Sequence, residues 1–188
     1  PLLIGPGNKA VGDVSPDGKW LVYSDTAAGQ ADLYILPLAA GGGKPQPRVF
    51  LQTPFTESRG RFSPDGQWIL YQSNESGRTQ IYAMPFPGPG GKRQISSGQG
   101  MMARWSRDGK EIFYVTQEGG QLMSVAVASH GGTLDVGREQ KLFDGVITSR
   151  GILYDVSADG QKFLVADDGA NSSQPLTLVQ NWTALLRK

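Results

Sequence analysis

The feature that most constrains this chain is a short pattern, Ser-x-Asp-Gly, that occurs four times. The four copies occupy residues 15–18, 63–66, 106–109 and 157–160. One or two residues separate each glycine from an apolar, strand-like run. Aspartate can hydrogen-bond to its own backbone, and glycine can adopt a positive φ without a Cβ penalty. Each copy therefore predicts a tight turn that joins two antiparallel strands.

The spacing of the copies indicates a repeat architecture. The serines lie about 48, 43 and 51 residues apart, which is in the range expected for propeller blades. In the second repeat we predict four strands, at 60–63, 68–73, 80–85 and 93–96. Runs such as 112–115 are almost continuously apolar, which is typical of strands covered on both faces. We therefore predict an all-β chain, a β-propeller of four blades, each a four-stranded antiparallel sheet.

The limits of the repeats predict how the chain is organised. We expect one domain over residues 1–188, with blade repeats at about 10–51, 58–96, 101–143 and 152–180 plus 1–4. The last repeat supplies three strands. We therefore predict that Pro1–Ile4 is an outer strand that pairs with the last blade and closes the ring. The alternative is that two chains share an eight-bladed ring, so the protein is either a monomer or a homodimer.

Composition excludes several classes of function. The chain of 188 residues has 18 basic and 17 acidic residues and a net charge of +1, which gives no general attraction to nucleic acid or to an anionic membrane. It has no cysteine, so disulfides and thiolate metal sites are excluded. No apolar run reaches the roughly 18 residues of a membrane span. We expect no cofactor, no metal, no nucleic acid and no membrane partner.

The segments around the turns resemble a known family. They are residues 62–66, 105–109 and 154–160, together with the tail at 180–184. They look like the repeats of TolB and related WD-like bacterial propellers, and are similar to the C-terminal propellers of bacterial membrane-anchored serine/threonine kinases. The resemblance implies a bacterial, periplasmic or extracytoplasmic binding platform. TolB-type propellers commonly have six blades and only four appear here, and no kinase signature is present.

Residues for catalysis are scarce. The only histidine, His130, lies in a Gly-rich connector, and the Gly-x-Ser-x-Gly elbow of many esterases is absent. We interpret His130 as an exposed loop residue. The four turn aspartates occur once per blade and cannot converge on a metal ion, so we interpret them as turn formers. Asp167 and Asp168 could make a weak Ca²⁺ contact, although a solvated turn fits them better.

Aligning the four turns yields the candidate binding site. Two residues before each serine lie Asp13, Arg61, Arg104 and Asp155. One residue before lie Val14, Phe62, Trp105 and Val156. Successive strand residues point to opposite sides, so we expect the apolar set to pack between blades and the charged set to face the central channel. Arg59 and Met102 would form the next layer.

This charged set has two interpretations. The arginines could bind a carboxylate or phosphate, and the aspartates could hold a cation or share a proton. Alternatively, Asp and Arg simply pair across the channel through water. We expect a non-enzymatic binding or protein-interaction module whose partner is a protein or a small anionic ligand at the channel mouth. The alternatives are a hydrolase, as an esterase or peptidase-associated propeller, and a purely structural or oligomerising domain.

Overall fold

The computed structural model describes residues 3–38, 45–88, 90–116, 118, 120–145, 154–165 and 177–180. All regular structure in these ranges is β-strand. The strands are β1 (Lys9–Val14), β2 (Trp20–Asp25), β3 (Asp32–Pro37), β4 (Arg48–Leu51), β5 (Glu57–Phe62), β6 (Trp68–Ser73), β7 (Gln80–Pro85), β8 (Arg93–Gln94), β9 (Met101–Trp105), β10 (Glu111–Val115), β11 (Leu122–His130), β12 (Thr133–Phe143), β13 (Tyr154–Val156), β14 (Lys162–Val165) and β15 (Thr177–Gln180). Within these ranges, no helix is long and apolar enough to cross a membrane.

The strands form four antiparallel sheets in chain order. Their orders are β1-β2-β3-β4, β5-β6-β7-β8, β9-β10-β11-β12 and β13-β14-β15, and we call them the first to fourth blades. The prediction of an all-β propeller of four blades is confirmed. Of the segment predicted to close the last blade, Pro1 and Leu2 lie outside the described residues, and Leu3 packs beside Leu21 and Leu36 of the first blade. That closure stays a prediction.

The strands of the second blade follow the sequence closely. Strands β6 and β7 have the predicted limits, 68–73 and 80–85. The inner strand β5 begins at Glu57, three residues before the predicted start, because Glu57 and Ser58 pair with Ser73 and Gln72 of β6 beyond a bulge. The outer strand β8 is shorter than predicted and has two residues.

The four Ser-x-Asp-Gly turns share one hydrogen-bond pattern. In the second blade, the Ser63 hydroxyl donates to Asp65 Oδ1 (2.5 Å) and accepts from the Trp68 amide (2.9 Å). Asp65 Oδ1 also accepts from the Gln67 amide (3.0 Å). The turn glycines have φ between 69° and 72°, in the left-handed region where a Cβ is disfavoured. The other three turns repeat these contacts, so the predicted turn chemistry is present in every blade.

The chain divides into two compact units, Pro1–Ser97 and Gly98–Lys188. The first unit contains the first and second blades, and the second unit contains the third and fourth. The core between the first two blades consists of Val22, Leu33, Ile35, Phe62, Ile69, Tyr71 and Tyr82. The core between the last two consists of Met102, Phe113, Val115, Leu122, Leu142, Tyr154, Phe163 and Val165. Burial of these side chains against the neighbouring blade is the main stabilising contribution in each unit.

Candidate functional site

A β-bulge interrupts the inner strand of each of the first three blades shortly before its turn serine. The pairing register shifts between Val11 and Asp13 in β1, and between Ser58 and Arg61 in β5. In the third blade the register shifts between Phe113 and Val115 of β10. These two residues pair with Arg104 and Met101 of the inner strand β9, so the bulge lies between Met101 and Arg104. Bulges change the direction in which a strand presents its side chains. The candidate residues Asp13, Arg61 and Arg104 each lie at the C-terminal side of such a bulge.

Two bulge residues adopt a conformation that is rare for residues other than glycine. The φ angle is 56° at Arg59 and 59° at Met102, each four residues before its turn serine. Backbone in this region costs free energy for an L-residue and persists where the surrounding structure holds it. The two side chains nevertheless differ, because Arg59 is exposed whereas Met102 is buried in the core of the second unit. The shared backbone geometry therefore does not give a shared side-chain environment.

In the first unit, the structure brings Asp13 and Arg61 together across adjacent blades. Arg61 Nη1 lies 3.9 Å from Asp13 Oδ1, and both side chains are partly exposed. The Asp13 carboxylate also accepts hydrogen bonds from two backbone amides, that of Val14 to Oδ1 (2.9 Å) and that of Phe62 to Oδ2 (3.2 Å). Asp13 thus links the inner strands of the two blades and holds a negative charge beside Arg61.

Glycines allow these inner strands to approach each other. A Cβ built on Gly12 would lie 2.5 Å from the carbonyl oxygen of Gly60 and 2.9 Å from that of Val22. A Cβ on Gly60 would lie 2.6 Å from Val22 Cγ2. These distances are shorter than van der Waals contact, so a larger residue at either position would push the strands apart. The glycines therefore set the geometry of the neighbouring Asp13–Arg61 pair.

The second unit contains the corresponding pair in reverse order. Arg104 Nε lies 4.0 Å from Asp155 Oδ1, and the Arg104 side chain is the more buried of the two. The Val156 amide donates to Asp155 Oδ1 (3.0 Å), as the Val14 amide does to Asp13. Each unit thus holds one Arg–Asp pair between the inner strands of its two blades. The contact within each pair is direct, at 3.9 and 4.0 Å, whereas the simpler interpretation of the sequence was pairing across the channel through water.

The apolar set one residue before the serines behaves differently in different blades. Phe62 is buried against the first blade, and Val156 packs against the third. Val14, however, is 46% exposed, so the expectation that all four pack between blades is wrong for this residue. Trp105, which lies on the leading blade of the second unit, is half-buried.

The remaining candidates lie apart from these pairs. His130 is exposed at the end of β11, in a part of the β11–β12 hairpin that extends beyond the pairing with β10. In the part of the chain that the structure describes, no group of three or more acidic or histidine side chains could hold a metal ion. Asp167 and Asp168 lie outside the described residues.

The structure also buries three carboxyl groups that the turn alignment did not select: Asp25, which is paired with Lys9, and the two residues Asp32 and Glu57. Asp32 is 2% exposed and Glu57 is fully buried, both at the contact between the first and second blades. A sequence signal was present for Asp32, which directly precedes the apolar run Leu33–Leu36, but Glu57 lies between Thr56 and Ser58 and begins a mostly polar strand. The alignment passed over them because they have no acidic equivalents in the other repeats, where Gln80 and Gly100 occupy the matching positions.

The comparisons with known proteins agree with this fold. The family model described as the TolB beta propeller domain matches residues 5–173. No curated protein sequence matches the chain significantly. TolB from Acinetobacter baumannii is similar in structure, with a TM-score of 0.66 and 20% identity over 95% of this chain and 42% of that chain. The chain therefore spans less than half the length of that TolB.

Two structures of enzymes are similar in fold as well. The periplasmic gluconolactonase PpgL from Pseudomonas aeruginosa has a TM-score of 0.53 and 21% identity over 93% of this chain and 53% of that chain. A puromycin hydrolase has a TM-score of 0.60 and 17% identity over 95% of this chain and 27% of that chain. At these identities the likeness concerns the fold alone. The match of the family model over most of the sequence shows that this chain belongs to the TolB beta propeller family.

Proposed function

We propose that the chain is a non-enzymatic binding module that recognises an acidic group through the arginines of its inner strands. The observation that carries this proposal is the Asp13–Arg61 pair, with a partly exposed guanidinium fixed at a bulge between two blades. Guanidinium groups present several N–H donors in a planar fork that suits carboxylate and phosphate oxygens. The ligand is either a small anion or an acidic side chain of a partner protein.

The geometry around Asp13 supports a fixed arginine. Asp13 accepts two backbone amides, so its carboxylate has a defined position before any ligand arrives. Arg61 Nη1 lies 3.9 Å from Asp13 Oδ1, so the positioned carboxylate holds the guanidinium group near one place. Arg59, exposed on the same strand, adds a second positive charge. Charges that are already held in place favour binding, because less side-chain conformational entropy is lost when the ligand binds.

Arginine substitutions test the proposal directly. Citrate and inorganic phosphate are suitable probes, titrated into the full chain by calorimetry at low salt. We expect Arg61→Ala to weaken citrate binding at least about tenfold, corresponding to about 1.4 kcal/mol. Arg93→Ala is the matched control, because Arg93 is exposed on the outer strand of the same blade. Arg104→Ala tests the equivalent position in the second unit.

The outcomes are distinguishable. Loss of affinity in Arg61→Ala with unchanged affinity in Arg93→Ala supports a site on the inner strands. Equal losses in both variants would mean that citrate responds only to net charge, and unchanged affinity in both Arg61→Ala and Arg104→Ala would remove the proposal. Turnover of a generic ester by the wild type, with loss in His130→Ala, would instead favour the hydrolase alternative.

The family also motivates a proposal about location. Members of the TolB beta propeller family resemble periplasmic proteins. One protein of similar structure, the gluconolactonase PpgL, is itself described as periplasmic. We therefore propose that this module acts outside the cytoplasm, as a sensor or scaffold. The mass of the chain in solution would separate a monomer from a homodimer that shares blades. Detection of the native protein in the periplasmic fraction of its source cells tests the location.

A further inference from the structure

Neighbouring blades of one unit pack through opposite faces of their sheets. The cluster that joins the first two blades combines residues of both, which are Val22, Leu33 and Ile35 of the first blade and Phe62, Ile69, Tyr71 and Tyr82 of the second. The cluster in the second unit likewise combines Phe113, Val115 and Leu122 of the third blade with Tyr154, Phe163 and Val165 of the fourth. We call the face that meets the following blade the rear face, and the face that meets the preceding blade the front face.

The rear face of the fourth blade exposes an apolar residue at a position that is buried in the other three blades. The residues seven positions after the four turn serines are Val22, Leu70, Phe113 and Leu164. The first three have no exposed surface, whereas Leu164 is 42% exposed. Its neighbours in β14 point to the opposite face and pack against the third blade. Leu164 is therefore an apolar side chain of the kind that the other blades bury.

The front face of the first blade carries a continuous apolar row across its four strands. Val11 pairs with Tyr23, Tyr23 with Tyr34, and Tyr34 with Val49. The two tyrosine rings are stacked, as are those of their equivalents in the second blade, which pack against the first blade. The valines at the two ends of the row are 75% and 53% exposed. In the second blade the outer end of this row is the polar residue Gln94.

Val14 adds to the exposed apolar surface of this front face. It pairs with Leu21 of β2, so it lies on the same face as the tyrosine row. Its equivalent in the second blade, Phe62, is buried against the preceding blade, whereas Val14 is 46% exposed. Leu3 and Leu38 of the same chain pack on another part of the face, beside Leu21. The inner-strand valines thus remain open to a further contact.

We propose that a second copy of this chain packs the rear face of its fourth blade on the front face of the first blade, so that its Leu164 contacts Val11 and Val14. The occupant is a second copy because the chain exposes one apolar face of each kind, and each contact between two blades of a unit combines these two kinds. Two such contacts, one in each direction, form a dimer. This contact does not depend on the proposed anion site.

The inner-strand charges predict how strong this contact is. Within each unit, an arginine of one blade faces an aspartate of the other, as Arg61 faces Asp13 and Arg104 faces Asp155. Between two copies, the equivalent positions are Asp155 of the fourth blade and Asp13 of the first, which repel each other. Asp155→Asn removes this repulsion and should lower the Kd of the dimer about two- to fivefold. A higher Kd in this variant would contradict the proposed orientation.

Sedimentation velocity of the full chain tests the contact. The wild type should form a dimer with rising concentration, and Val14→Asp and Leu164→Asp should each weaken association at least about tenfold, because each places a charge in an apolar contact. Phe55→Asp is the matched control and should leave association unchanged. Phe55 is a similarly exposed apolar residue, at 40%, in the segment between β4 and β5.

Mixing the two variants tests the orientation of the copies. The Val14→Asp chain keeps its rear face and the Leu164→Asp chain keeps its front face, so a mixture has one intact contact and should associate more strongly than either variant alone. That recovery would also show that both variants are folded. A wild type that stays monomeric at about 1 mM would overturn the proposal. So would loss of the dimer in Val14→Asp but not in Leu164→Asp, because two first blades would then meet each other.

Discussion

The hydroxyl of Tyr154 donates a hydrogen bond to the carbonyl oxygen of Met102, at 2.7 Å. The two residues lie on the inner strands of neighbouring blades in the second unit. Tyr154 also reaches the carbonyl oxygen of Phe113 (3.1 Å) while its ring remains buried. In the first unit, Gly60 occupies the same position before the turn serine. One unit therefore joins its inner strands through a tyrosine hydroxyl, and the other through close backbone approach.

Removal of this hydroxyl should weaken the second unit. Tyr154→Phe keeps the ring in the core but removes the donor to two buried carbonyls, so we expect a loss of about 1–2 kcal/mol in the free energy of unfolding. Tyr34→Phe, at a half-buried ring stacked on Tyr23, is the matched control. Urea denaturation measures both. Equal losses in the two variants would contradict a specific role for the Tyr154 hydroxyl.

A methyl group at Gly12 should disturb the first unit and the adjacent ion pair. Gly12→Ala places its Cβ against two carbonyl oxygens of the backbone, which cannot move without separating the strands. We expect destabilisation by about 1–3 kcal/mol and weaker citrate binding, since Asp13 is the next residue. Gly91→Ala is the control, because a Cβ there meets nothing within 4 Å. A Gly12→Ala protein with unchanged Tm would show that the close approach is unimportant.

The turn serines should differ in their contribution according to burial. Ser63→Ala removes a donor to Asp65 and an acceptor for the Trp68 amide at a buried turn, so we expect a cost of about 1–3 kcal/mol. Ser157→Ala makes the same change at a solvent-exposed turn of the fourth blade and should cost less, because water can replace the lost contacts. Thermal denaturation of both variants compares them. The reverse order would contradict the burial argument.

Acid should destabilise the third blade through its turn aspartate, Asp108. The Ser106 hydroxyl, followed by the Lys110 amide, lowers the pKa of Asp108 below its ordinary value of 3.8. A lowered folded pKa gives stability that is present above pH 3.8 and is lost as the pH falls through the folded pKa. Asp108→Asn should therefore show a smaller fall in its urea midpoint below pH 3.8 than the wild type. A slope identical to that of the wild type would contradict this assignment.

The turns could be predicted because they follow from local sequence, and aligning them selected Asp13 and Arg61 as equivalent positions, although the direct contact between the two was not predicted. A Ser-x-Asp-Gly turn fixes its own hydrogen bonds, and alignment on its serine places equivalent strand residues at equivalent positions. The exposure of Val14 and the burial of Glu57 could not be predicted in this way. Both depend on which blade packs against which face, and that is a tertiary property which the repeat alignment treats as the same in every blade.

The central claim is that the inner-strand arginines receive an acidic ligand, and nuclear magnetic resonance tests it most directly. Citrate would be titrated into the ¹⁵N-labelled chain while backbone amides and arginine Nε–H groups are followed. The account predicts the largest shift changes at the Arg61 side chain and the amides of residues 59–62, with a second set at Arg104. Saturable changes confined to exposed lysines, or no change around Arg61, would contradict it.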